Sequence, residues 1–177
     1  MARMKDTIPS DLLISAYQPV DYYDITKCES DDLKGITTED IQIALWSSKP
    51  AWVDRLFKLR NILVKPFGLK TGEDSSLDQL TDCIRNGKAY GLMSLQAKSE
   101  KETVICLTDK HLSAYVSIFL ESEEKKAQCV FAYTLVKFHS TLGYVYFYSI
   151  LPFHKIVVKK MLKYSLNLLI QKNNINI

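Results

Sequence analysis

Leu112-Ser113-Ala114-Tyr115-Val116-Ser117-Ile118-Phe119-Leu120-Glu121 is the stretch on which the fold turns. Leu112, Ala114, Val116, Ile118 and Leu120 alternate with Ser113, Tyr115, Ser117 and Phe119, and a period of two assigns each set to its own face of a strand. Upstream, Glu102 to Thr108 reads as a strand joined to it through Asp109 and Lys110. Tyr90 to Lys98 precedes that strand across the loop Ser99-Glu100-Lys101. Downstream of the polar run Glu121 to Lys126, Cys129, Phe131, Tyr133 and Leu135 alternate with Val130, Ala132, Thr134 and Val136. His139 and Ser140 then turn into a predicted strand over Leu142 to Ile150, with Tyr144, Tyr146 and Tyr148 on one face. Connections this short give an antiparallel meander, because a parallel return needs a crossover of about a dozen residues.

Helices are expected on both sides of the meander. Pro152 opens the last one, where Phe153, Val157, Met161, Tyr164 and Leu168 step by four, four, three and four along an apolar stripe. Lys155, Lys159, Lys160 and Lys163 supply most of its wet side. Near the other end, Tyr22 to Glu29 reads as a first strand. Thr37 and Thr38 precede Glu39 and Asp40, acids that favour a helix amino end. Pro50 suits the first turn of a second helix carrying Trp52, Leu56, Leu59 and Leu63. Leu77, Leu80 and Ile84 fit a short helical face between loops. Pro9 and Pro19 argue against a continuous element in Met1 to Val20.

The 177 residues suit a single domain, 1–177, with its core at about 20–172. A hydrophobic share of 47% and a charged share of 24% exclude a disordered tail. A net charge of +3 is too small to announce a nucleic-acid binder. The lysine pairs Lys125-Lys126 and Lys159-Lys160 are too short to indicate nucleic acid or an anionic membrane, and a soluble helix face explains them. The polar amino terminus lacks a secretory signal, and no run of about 18–20 apolar residues offers a membrane span. The expectation is a cytoplasmic protein whose Cys28, Cys83, Cys106 and Cys129, without Cys-x-x-Cys spacing, are reduced thiols.

Three segments carry a resemblance: Tyr22-Tyr23-Asp24; Pro50 to Asn61 with Phe67-Gly68-Leu69-Lys70; and Gly143-Tyr144-Val145-Tyr146 with Pro152-Phe153-His154-Lys155. Together with the element order, they make the chain similar to the START-like (SRPBCC) helix-grip superfamily. Within it, the chain resembles a bacterial domain family of unknown function, sometimes fused behind a short-chain-dehydrogenase-like domain. The resemblance implies an α+β fold: a curved antiparallel sheet of six to seven strands around a long carboxyl-terminal helix, with two short helices after the first strand. It also implies a hydrophobic cavity between sheet and helix for a small apolar or amphipathic ligand. The family has no established activity, so no catalytic residue carries over.

The expected ligand-binding residues are Trp52, Arg60, Phe67, Tyr115, Tyr133, Tyr144, Tyr146, His154 and Met161. Aromatic bodies with polar tips suit such a pocket, and Arg60 suits a carboxylate or phosphate. Ordinary packing is the commoner explanation for most of these residues: core or sheet stabilisation for the aromatics, a helix-end ion pair or carbonyl bond for Arg60, a hydrogen bond to a strand for His154. Asp21, Asp24 and Glu29 would act as bases only if they reached a pocket. No Gly-x-Gly-x-x-Gly, P-loop, Gly-x-Ser-x-Gly or His-Glu-x-x-His motif occurs, and neither a metal nor a cofactor is expected. A binding module ranks first. An enzyme of cyclase or hydrolase type using the same cavity comes second, and an interaction domain for a dehydrogenase-like partner third. A homodimer stays open.

Overall fold

The computed structural model describes residues 8–30, 33–48, 50–53, 76–121 and 128–175. Five strands, β1 (Tyr22–Ser30), β2 (Met93–Lys98), β3 (Glu102–Thr108), β4 (Leu112–Glu121) and β5 (Gln128–Phe138), form one sheet in the order β1-β5-β4-β3-β2. Every neighbouring pair is antiparallel. Three helices, α1 (Thr38–Ser47), α2 (Leu77–Asn86) and α3 (Thr141–Ile175), complete the described elements, together with a 3-10 turn at Leu13–Tyr17. Of the expected second helix, residues 51–53 are helical, and the rest lies outside the described residues.

Among the described residues the sheet has five strands rather than the expected six to seven, because Leu142 to Ile150 is helical. Tyr144, Tyr146 and Tyr148 are one strand face only on a period of two. Tyr144, Phe147 and Tyr148 are equally one helix face on steps of three and four. Helix geometry prevails because the chain is capped there: Ser140 Oγ accepts from Gly143 N at 3.2 Å. The Phe138 ring at the end of β5 also packs on Tyr144, Phe147 and Tyr148, at centroid distances of 5.5, 5.6 and 6.1 Å. Pro152 thus sits inside α3 rather than at its start. The expected strand from Tyr90 likewise starts later, at Met93, since Tyr90 and Met93 exchange both backbone hydrogen bonds around Gly91, whose φ is +57°.

Alternation along the strands divides the core in two. Ile118, Val130 and Ala132 face α1 and α3 beside Ile41, Leu45, Met161, Leu162 and Leu166. On this same face, Ile105 meets Leu80, Cys83 and Ile84 of α2. The opposite face presents Val104, Tyr133 and Leu135 to the amino-terminal segment, which contributes Ile8, Leu12 and Ile14. Two buried polar side chains fasten these layers. Gln42 of α1 donates from Nε2 to the carbonyls of Thr103 and Val116 (3.0 and 3.1 Å) and accepts from Trp46 Nε1. Glu102, 2% exposed, accepts from Leu13 N (2.5 Å), Ile14 N (3.1 Å) and Ser117 Oγ (2.6 Å). Helix α1 itself opens on a capping box: Thr37 Oγ1 accepts from Asp40 N, and the Asp40 carboxylate accepts from Thr37 N.

Candidate functional site

Strand β1 turns Tyr22 and Asp24 towards the helices, opposite Val136 and Thr134 of β5. Helix α3 crosses this corner and lowers two side chains seven residues apart, hence on one face: Phe147 and His154. The His154 Nε2 lies 3.5 Å from Asp24 Oδ2, at the outer edge of hydrogen bonding, and Tyr22 Oη donates to the same oxygen at 2.9 Å. The Phe147 ring walls the group, 4.8 Å from the Tyr22 ring and 5.8 Å from the imidazole. Carboxylate and imidazole are 12% and 19% exposed. Two polar atoms, Asp24 Oδ1 and His154 Nε2, are shut off from solvent yet have no hydrogen-bond partner.

Burial acts on the Asp24 carboxyl to raise its pKa, but His154, the Tyr22 hydroxyl and Lys155 outweigh it and hold the group below the usual carboxylate range. Tyr22 shifts upward, first from burial and then from donating to Asp24. An ionised Asp24 and a protonated Tyr22 are thus the settled forms near neutrality. The corner offers one open carboxylate lone pair beside one imidazole nitrogen. A hydroxyl set between them can donate to Oδ1 and accept from a protonated Nε2, which completes both groups at once.

The same end of the sheet carries further histidines with structural work. His111 Nδ1 lies 3.1 Å from Ser140 Oγ, the cap of α3. On the other face, Ser113 Oγ lies 3.2 Å from His139 Nε2 and also touches Thr108 Oγ1. Among the described residues no carboxylate is hydrogen-bonded to His139, so this serine–histidine contact lacks the orienting acid of a nucleophile–base pair. No group of three or more His, Cys, Asp or Glu side chains placed to hold a metal occurs among the described residues.

The described residues among those expected to line one pocket are distributed over both faces of the sheet. Tyr115 stacks on Tyr17 at 4.5 Å, and Tyr133 is buried beside Phe131, both on the face covered by the amino-terminal segment. His154 and Met161 lie on the other side of the sheet, Met161 within the α1–α3 core. Tyr144 is exposed, Tyr146 half-buried, and Trp52 exposed. Arg60 and Phe67 lie outside the described residues. Among the described ones, His154 alone belongs to the polar corner. Its partners Tyr22 and Phe147 are not among the expected residues, and Asp24 is expected only as a base conditional on reaching a pocket; Asp24 and His154 are joined by the β1–α3 crossing.

The fold and this corner define a class: an α+β domain with three described helices on one face of an antiparallel sheet and a carboxylate–imidazole pair under the last. The chain belongs to a family described as protein of unknown function (DUF2867), whose profile matches residues 16–161. No curated protein and no solved structure matches it. No helix among the described residues is long and apolar enough to cross a membrane.

Proposed function

We propose that the chain is a single-domain, cytoplasmic binding protein for a small amphipathic molecule whose hydroxyl head is received by Asp24 and His154. The observation that carries this reading is the pair of buried, unpartnered atoms, Asp24 Oδ1 and His154 Nε2, side by side against Phe147. Leaving such atoms without a partner costs about 1–3 kcal/mol each, a cost that a hydroxyl would offset. The apolar body would lie between α3 and the β1–β5 pair, in the helix-grip manner. The strand order β1-β5-β4-β3-β2, with α3 against β1 and β5, supports that comparison.

Titration with 1-decanol, followed by the His154 ring resonances in NMR, tests the proposal. A saturable shift is expected in the wild type, and none in Asp24→Asn that retains native far-UV circular dichroism. A His154 signal unmoved by decanol, decanoic acid and decylamine alike would refute it.

A further inference from the structure

The outward side of α3 carries a run of exposed apolar side chains. Val145, Phe153 and Ile156 are 58%, 53% and 54% exposed, on steps that keep them within about 80° of one another around the helix, along one outward band. Lys159 and Lys160, both exposed, extend this band one turn further. No acidic residue follows Glu124, so all 20 acids of the chain precede α3, and the helix has lysine as its only charged residue type. From Val145 to Lys160 the band runs about 22 Å at about 1.5 Å per residue.

We propose that this face of α3 docks on anionic phospholipid bilayers, lying flat with Val145, Phe153 and Ile156 at the acyl boundary and Lys159 and Lys160 among the headgroups. Apolar and aromatic side chains followed by lysine, without a counter-charge on the element, match the chemistry of that surface. A second copy of the same face would bring no α3 carboxylate to Lys159 and Lys160 whichever way the helices ran, and a nucleic acid would leave the aliphatic side chains in water. The band lies opposite His154 on the helix, so the proposal does not depend on the reading of the polar corner.

Co-sedimentation with vesicles of phosphatidylcholine and phosphatidylglycerol (3:1) tests it, against vesicles of phosphatidylcholine alone. Binding is expected to the mixed vesicles only and to weaken as salt rises. Each lysine at such a surface contributes about fivefold in partitioning, so Lys159→Gln with Lys160→Gln should reduce it about twenty-five-fold. Val145→Ser with Ile156→Ser, on exposed positions that leave the core intact, should also release the protein. No partitioning into the mixed vesicles at low salt overturns the proposal, as does equal binding to both kinds. A dimer in sedimentation equilibrium that Val145→Ser with Ile156→Ser dissociates, without vesicle binding, would assign the face to self-association instead.

Discussion

Glu102 shows how one buried side chain can hold a whole layer. Its carboxylate has no cation against it among the described contacts; two backbone N–H groups and a serine hydroxyl satisfy it instead. Glu102→Gln keeps the shape but turns one acceptor into an NH2 donor, so one of those donors loses its acceptor. A loss of about 1–3 kcal/mol is expected in urea denaturation, with faster proteolysis before Pro19. Wild-type values for both would show that the carboxylate is dispensable. Asp24 gives a prediction in pH. Its folded-state pKa is depressed, so its stabilisation is present above the unfolded value near about 4 and is lost as pH falls through the folded value. Asp24→Asn should therefore be less stable than wild type at pH 7, by about 1–3 kcal/mol, and the gap should narrow as pH drops from about 5 towards 2. A gap that stays constant over that range would mean that the charge on Asp24 is immaterial. Neither residue could be assigned from the sequence, where both are acids in strands. What distinguishes them is who approaches from other elements: Leu13 and Ile14 in one case, His154 in the other.

At the scale of elements, strands read more clearly than helix boundaries. Leu112 to Glu121 alternates strictly, and β4 spans those residues. The Thr37–Asp40 start of α1 was legible because a capping box is local chemistry. Residues 141–151 were not, since aromatic residues at alternate positions serve a strand or a helix, and a proline inside a helix resembles a beginning. Two substitutions on α3 test why it forms there. A Cβ on Gly143 would stand 2.2 Å from the His111 carbonyl oxygen and 2.9 Å from its carbon, both backbone atoms that cannot swing away. Gly143→Ala should destabilise by about 1–3 kcal/mol, although alanine favours helices by about 1 kcal/mol. Pro152→Ala acts in the opposite direction. It restores an N–H for the Tyr148 carbonyl at an exposed position, and thermal unfolding should move up, consistent with the roughly 3 kcal/mol cost of an interior proline. If Gly143→Ala is neutral, α3 does not seat as closely on His111 as described. If Pro152→Ala lowers the midpoint, the proline is shaping a bend that the packing needs.

At the scale of the molecule, one sheet is shared by two cores, and the second core was the part least visible beforehand. The amino-terminal segment looked irregular because Pro9 and Pro19 bracket it, yet Ile8, Leu12 and Ile14 are buried. A short 3-10 turn has too few residues for a periodic apolar signal, so burial there comes from Glu102 and the sheet and not from any local pattern. Strand β5 joins the two layers: Val130 and Ala132 face the helices, whereas Tyr133 and Leu135 face the amino-terminal segment. Burial pushes the Tyr133 hydroxyl up to about 12, with the charges of Glu102, Glu121 and Asp11 adding to it. Because the same backbone ladder supports both cores, neither should melt alone. Ile14→Ala removes a fully buried side chain from the smaller core and should cost about 2–5 kcal/mol. The loss should appear as one lowered transition, with far-UV circular dichroism coinciding, in a Trp52→Phe background, with the fluorescence of Trp46, which packs in the helix-side clusters. Far-UV signal lost before the Trp46 signal would separate the amino-terminal layer from the rest. The sheet would then be held by its helices, with the segment before β1 only resting on it.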